Sequence, residues 1–243
     1  MTHHLWKAPA NVLFIGVDLT NDFIPPHGAL AVADGDKVIP VVNQLTPHFQ
    51  HVLWTKEEHD AGHDFFASSH PGKQALDTVE TPYGTQFLWP DHCITGTEGA
   101  AFHRDLIVNE NDMVVIKGTD KHIHAYSAVY MDDRETIIRY PDGKTLPEKI
   151  RQQQIDTIVI SGLVYDFCAG LTAFDLAKDG FHVIFVTDAA RSICLPAGNG
   201  KTTHDRMTEM LHEAGVILTD STQLPHLLSG QHHDNTQNPC RPD

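Results

Sequence analysis

The chain has 243 residues, 41% hydrophobic and 20% charged, enough to bury a large core in an ordinary globular composition. A formal net charge of -15 excludes the basic stripe of a nucleic-acid-binding surface, and no run approaches the roughly 20 apolar residues that span a bilayer. The start, Met1-Thr2-His3-His4-Leu5-Trp6-Lys7, lacks the pattern of a secretory leader, and Cys93, Cys168, Cys194 and Cys240 are too widely spaced for a disulfide framework, so a soluble, cytoplasmic protein with free thiols is expected.

In chain order, β-rich runs are predicted at residues 11–17, 51–55, 113–116, 157–160, 182–187 and 216–218. They are almost continuously apolar, the pattern of strands covered on both faces. Helices are predicted at 37–49, 147–154, 168–178 and 203–214. The last two stop before Gly180 and Gly215, residues suited to the left-handed position after a helix. This alternation predicts one α/β domain over residues 1–230, a doubly wound parallel sheet of six strands with helices on both faces. Residues 231–243 are polar and are expected to form a disordered tail. Two connections, 56–112 and 118–146, exceed ordinary loops and are expected to be functional or to carry small elements of their own.

Ligands of an open parallel sheet bind at the carboxyl ends of its strands. There the chain places Asp18 after the first strand and Lys56-Glu57-Glu58-His59 after the second. Lys117 follows the third, Gly162 and then Cys168 the fourth, and Asp188 the fifth. A carboxylate can take a thiol proton, and an ammonium can hold the pair and a developing oxyanion. Cys168 opens a predicted helix with Asp166 as its cap, where the helix dipole favours thiolate and lowers the thiol pKa. Glu57, His59, His63 and His92 supply imidazole and carboxylate donors that suit zinc, manganese or iron. Among eighteen histidines, His122 and His124 read as solvated loop residues.

Several stretches together resemble the isochorismatase-like cysteine hydrolases, and within them the nicotinamidase/pyrazinamidase group. They are Val17-Asp18-Leu19-Thr20-Asn21-Asp22-Phe23, Trp89-Pro90-Asp91-His92-Cys93-Ile94-Thr95-Gly96-Thr97, Lys117-Gly118 and Ser161-Gly162-Leu163-Val164-Tyr165-Asp166-Phe167-Cys168. Thr172-Ala173 and Val186-Thr187-Asp188-Ala189 follow. The resemblance implies a catalytic triad of Cys168, Asp18 and Lys117. It implies an oxyanion hole from the N–H groups of Val164 and Cys168, with a cis peptide between Leu163 and Val164. It places substrate-cradling rings at Phe23, Trp89 and Tyr126, and one divalent metal, zinc first and manganese or iron next, on Glu57, His59 and His92, with His63 a further candidate.

One departure stands out. The family's Asp-x-His after the second strand reads Glu57-Glu58-His59 here, so the carboxylate has a longer arm. The implied reaction is hydrolysis of nicotinamide to nicotinate and ammonia through a cysteine thioester, feeding NAD salvage, with pyrazinamide as a further substrate. Two alternatives keep parts of the pattern: another amidase of the superfamily acting on an N-carbamoyl compound or other small amide, and a binding protein that has lost catalysis through Glu57. A homo-oligomer is compatible with the sequence, which leaves the oligomeric state open.

Overall fold

Six apolar runs form one parallel sheet: β1 (Val12–Val17), β2 (His51–Glu57), β5 (Met113–Lys117), β6 (Thr157–Leu163), β7 (His182–Arg191) and β8 (Ile217–Thr219). The computed structural model describes residues 6–229, and the tail predicted at 231–243 lies outside them. The strand order is β5-β2-β1-β6-β7-β8, so the chain winds outward from β1 to one edge and returns beside β1 to build the other half. The reversal falls between β1 and β6, where an open sheet leaves a crevice at its carboxyl ends. Phe14, Ile15, Leu53, Trp54, Ile158 and Phe185 are fully buried in the layers on either side.

The helices are α1 (Val38–Leu45), α2 (Leu146–Gln152), α3 (Cys168–Lys178), α4 (Thr203–Glu213) and a short α5 (Leu224–Leu228). Helix α1 stops four residues before its predicted end because Pro47 breaks the bonding pattern and residues Thr46–His48 tighten into a 3-10 turn. Capping boxes start α2 (Thr145 with Glu148) and α4 (Thr202 with Asp205). Gly180 and Gly215 take positive φ, as expected. Among the described residues no helix is long and apolar enough to cross a membrane.

Five strands run past their predicted carboxyl ends, β2 through Glu57, β5 through Lys117, β6 through Leu163, β7 through Arg191 and β8 through Thr219. Polar residues interrupt the apolar signal there while the backbone ladder continues. Asp188 therefore lies inside β7, where its carboxylate accepts from the N–H and hydroxyl of Ser221, 2.8 and 2.6 Å away, and it takes no part in the crevice. The connection 56–112 carries its own hairpin, β3 (Thr78–Thr81) with β4 (Gly84–Phe87).

Candidate active site

The crevice is lined by charges that the sheet itself positions. Glu57 and Lys117 are register partners across β2 and β5, which brings Lys117 Nζ to 2.7 Å from Glu57 Oε1. Asp18 leaves β1 at a φ of 48°, turning its carboxylate back over the sheet. Its Oδ1 accepts from the Thr55 hydroxyl at 2.6 Å, and its Oδ2 lies 2.9 Å from Lys117 Nζ. That second oxygen takes no aligned hydrogen bond and keeps a free lone pair.

Cys168 opens α3 opposite them, with Sγ 3.5 Å from Lys117 Nζ and 4.0 Å from Glu57 Oε1. The Asp18, Glu57 and Cys168 donor atoms all lie within 4.8 Å of one another. Strands β1 and β6 pair this closely at their carboxyl ends because residue 162 is glycine: at its φ of 118° a Cβ would meet the carbonyl oxygen of its register partner Val17 at 2.2 Å.

Burial sets the ionisation of this cluster. It raises Asp18, an effect that Lys117 opposes and the Glu57 carboxylate reinforces. Glu57 also feels burial, but the Lys117 ammonium opposes it and its carboxyl is held well below the usual range. Lys117, whose burial disfavours charge, is held well above its ordinary value by the Asp18 and Glu57 carboxylates. Burial pushes the Cys168 thiol well up, Lys117 pulls it down, and the two carboxylates add to the rise. This reverses the depressed thiol expected from the helix dipole, because the dipole acts in a dry pocket already holding two carboxylates. The thiol keeps its proton at rest and needs a base beside it. Asp166 is not the helix cap either. Its carboxylate accepts from the N–H groups of Ile193 and Cys194 and the Thr203 hydroxyl at 3.0, 2.8 and 2.5 Å, tying the segment after β7 to the start of α3.

The peptide between Leu163 and Val164 is cis. Among the described residues, the N–H groups of Val164 and Cys168 donate to no backbone acceptor, the state required of an oxyanion hole before substrate arrives.

A cluster of imidazoles adjoins Glu57. His59 Nδ1 is 2.7 Å from the Gly118 carbonyl, His92 Nδ1 is 2.7 Å from the Pro90 carbonyl, and His124 Nδ1 is 3.3 Å from Asp132 Oδ2. Each Nδ1 thus donates outward, which leaves a lone pair on each Nε2. The three Nε2 atoms lie 3.6, 3.4 and 4.0 Å from Glu57 oxygens. Those of His59 and His124 are buried without a partner, and burial keeps His59 below the usual imidazole range, hence neutral. Lone pairs and a carboxylate converging in a dry space repel one another unless a cation lies between them, so the donor set fits a divalent metal. Gly118 makes the Gly118–His59 contact possible, since at its φ of 78° a Cβ would sit 2.7 Å from His59 Cε1.

His63 borders this cluster, its ring centroid 4.5 Å from that of His59, but it is not free to be a ligand. Its Nε2 donates to the Asp120 carbonyl at 2.8 Å and its Nδ1 accepts from the Phe65 N–H at 3.2 Å. His122 is exposed beside Asp64, as expected of a solvated residue. His124, expected to be solvated, is instead buried against Glu57. The hydrogen bond to Asp132 eight residues on is what turns it inward.

Between the imidazoles and Cys168 lies a narrow slot. Phe23, Trp89 and Tyr126, the three predicted rings, all line it, together with Phe167, Leu30 and Ile193. Trp89 Nε1 donates to the Tyr126 hydroxyl at 2.7 Å, and Phe167 packs edge-on to Trp89 with centroids 5.2 Å apart. Sequence reasoning missed Phe167, Leu30 and Ile193. Only the position of Phe167 directly before Cys168 carried a signal.

The isochorismatase domain matches residues 12–223 of the chain. The nicotinamidase of Acinetobacter baylyi is 38% identical over 198 residues, covering 82% of this chain and 88% of that protein. The solved structure of a nicotinamidase/pyrazinamidase from Acinetobacter baumanii superposes with a TM-score of 0.81 at 38% identity, over 90% of this chain and all of that one. A pyrazinamidase of Pyrococcus horikoshii, solved in complex with zinc, superposes with a TM-score of 0.65 at 27% identity, over 86% of this chain and 99% of that one.

Proposed function

Because the chain belongs to the isochorismatase family, we propose that it is a nicotinamide amidohydrolase, converting nicotinamide and water to nicotinate and ammonia, with pyrazinamide as a further substrate and NAD salvage as the consumer of its product. The observation that carries this reading is the buried contact of Lys117 with Asp18, Glu57 and Cys168 at the mouth of an aromatic slot. A flat pyridine ring suits a slot walled by Phe23, Trp89, Tyr126 and Phe167.

In this reading Asp18 Oδ2, with its free lone pair and raised pKa, takes the Cys168 proton as sulfur attacks the carboxamide carbon. Lys117 holds Asp18 and the thiolate together while charge moves from one to the other. The carbonyl oxygen gains the negative charge and accepts from the N–H groups of Val164 and Cys168, donors typically worth about 3 kcal/mol each at such positions. Asp18 returns its proton to the leaving nitrogen, ammonia departs and a thioester remains. Water then attacks the thioester carbon as Asp18 accepts a proton from it, the C–S bond breaks, the departing Cys168 sulfur takes that proton back from Asp18, and the acid leaves as nicotinate after losing its proton to solvent.

Glu57, His59 and His92 would hold a divalent ion, zinc first among the metals this donor set suits, which would supply a Lewis acid to orient the ring. The test is ammonia release from nicotinamide by the wild type and Cys168→Ala. The variant is expected to fold, to bind nicotinamide and to release no ammonia, whereas retained turnover overturns the scheme.

A further inference from the structure

We infer that His124 is a ligand of the metal, so that this chain builds a centre of three imidazoles and one carboxylate around Glu57. The inference rests on the metal reading above and extends it to a residue that no sequence motif marks.

His124 lies on the connection after β5, in a loop folded back on itself. Asp132 N–H donates to the His124 carbonyl at 2.8 Å, Asp132 Oδ1 accepts from the Tyr126 N–H at 3.1 Å, and Asp132 Oδ2 faces His124 Nδ1 at 3.3 Å. One buried carboxylate thus fixes the loop, the ring and the tautomer, the outer support that metal-bound histidines ordinarily have.

The inner nitrogen is the informative atom. His124 Nε2 is buried and has no hydrogen-bond partner. Its neighbours across the gap are acceptors: Glu57 Oε1 lies 4.0 Å away, and the donor atoms of Glu57, His59 and His124 all lie within 4.8 Å of one another. Two ligands of a tetrahedral zinc with bonds of about 2.0–2.1 Å sit about 3.3 Å apart. The separations of 3.6 and 4.0 Å from Glu57 Oε1 to His59 and His124, and of 3.4 Å from Oε2 to His92, are each within an ångström of that ligand-to-ligand distance.

Other roles fit less well. A histidine placed only for packing would be expected to satisfy both nitrogens, as His63 does. A histidine donating to substrate from Nε2 would either leave Nδ1 lone pair to lone pair against Asp132 or have to carry a charge. The long arm of Glu57 belongs to the same arrangement, because one carboxylate spans from Lys117 at 2.7 Å to His92 at 3.4 Å, with His59 and His124 flanking the oxygen that Lys117 holds.

The test uses the full chain, stripped with chelator and titrated with Zn²⁺ alone against a chromophoric competitor. Zinc-edge x-ray absorption then counts imidazoles on the loaded protein. His124→Asn retains an amide donor for Asp132 and deletes Nε2. It is expected to lose one imidazole from the count and to weaken zinc by more than the roughly 10–100-fold typical of losing an outer partner, while Asp132→Asn falls within that range. His92→Gln serves as the reference for a ligand already assigned.

Wild-type affinity and imidazole count in His124→Asn, with zinc lost in His92→Gln, overturn the inference and leave the metal reading standing. A wild type that takes up no zinc overturns both. Should His124→Asn fail to fold, the count in His63→Gln decides: three imidazoles support His124 as the third, and two overturn it.

Discussion

Lys117→Met removes the ammonium that lies between Asp18 and Glu57 and leaves two buried carboxylates facing each other and a thiol. Breaking a buried ion pair from one side costs about 3–5 kcal/mol. In a chain of this size that corresponds to roughly 6–20 °C of melting temperature, at about 2–4 °C per kcal/mol. The loss is not uniform in pH. Asp18 is already raised by burial, so without Lys117 it is the first group to neutralise. A carboxyl whose folded pKa lies above its unfolded value favours the folded state below the unfolded pKa, and that contribution is lost as pH rises through the folded pKa. The deficit of the variant should therefore grow as pH rises from the ordinary carboxyl value of 3.8 toward neutrality. Melting of wild type and variant followed by circular dichroism across that range, both with chelator present so that only protein charges are compared, measures it. Ammonia release should fall by at least about 100-fold, the low end for a lost acid–base partner. A deficit below about 1 kcal/mol, smaller than a buried pair allows, or one that does not widen with pH, refutes the assignment of Lys117 as counter-ion to both carboxylates.

Three further outcomes are expected. In the wild type kcat/KM should fall on acidification as Asp18 takes up a proton, with a midpoint above the ordinary carboxyl value of 3.8 because burial raises it; a midpoint at or below 3.8 removes Asp18 as the base. Chelation should raise KM for nicotinamide more than it lowers kcat, since the ion orients the ring, and equal losses in both would assign it a different role. Asp166→Ala strands two N–H groups and a hydroxyl, so it should lower stability by about 1–3 kcal/mol and raise KM through Ile193 in the slot. Unchanged denaturation and kinetics would show that this tie is dispensable.

Most of the sheet was legible because buried parallel strands are apolar along their whole length, which length and flanking residues distinguish from helix. The errors sit where chemistry interrupts that pattern. Glu57 and Lys117 read as residues beyond their strands, yet they are the last residues of β2 and β5, and Asp188 read as a site residue because β7 continues past it. The thiol, Asp18 and Lys117 were recoverable from their order along the strand ends. His124 was not, because its distinguishing partner is a carboxylate eight residues away across a turn, and spacing in a polar loop says nothing about which histidine is folded inward. The long arm of Glu57 was visible as a substitution. That it would reach Lys117 as well as the imidazoles required the register of β2 against β5.

That register has a consequence for how such a chain can change. Glu57 and Lys117 are set opposite each other by the backbone ladder, and Asp18 and Cys168 flank the same crevice at the ends of β1 and β6. The slot walls Phe23, Leu30, Trp89, Tyr126 and Ile193 instead come from connecting segments, which tolerate insertion and exchange far better than strands do. Bond-breaking power and choice of amide are thus inherited on separate parts of the chain. A library that recombines only the connections should yield new substrate preferences at undiminished intrinsic reactivity toward a small unhindered amide. A library that shifts β5 by one residue should yield none, because Lys117 would then point to the opposite face of the sheet.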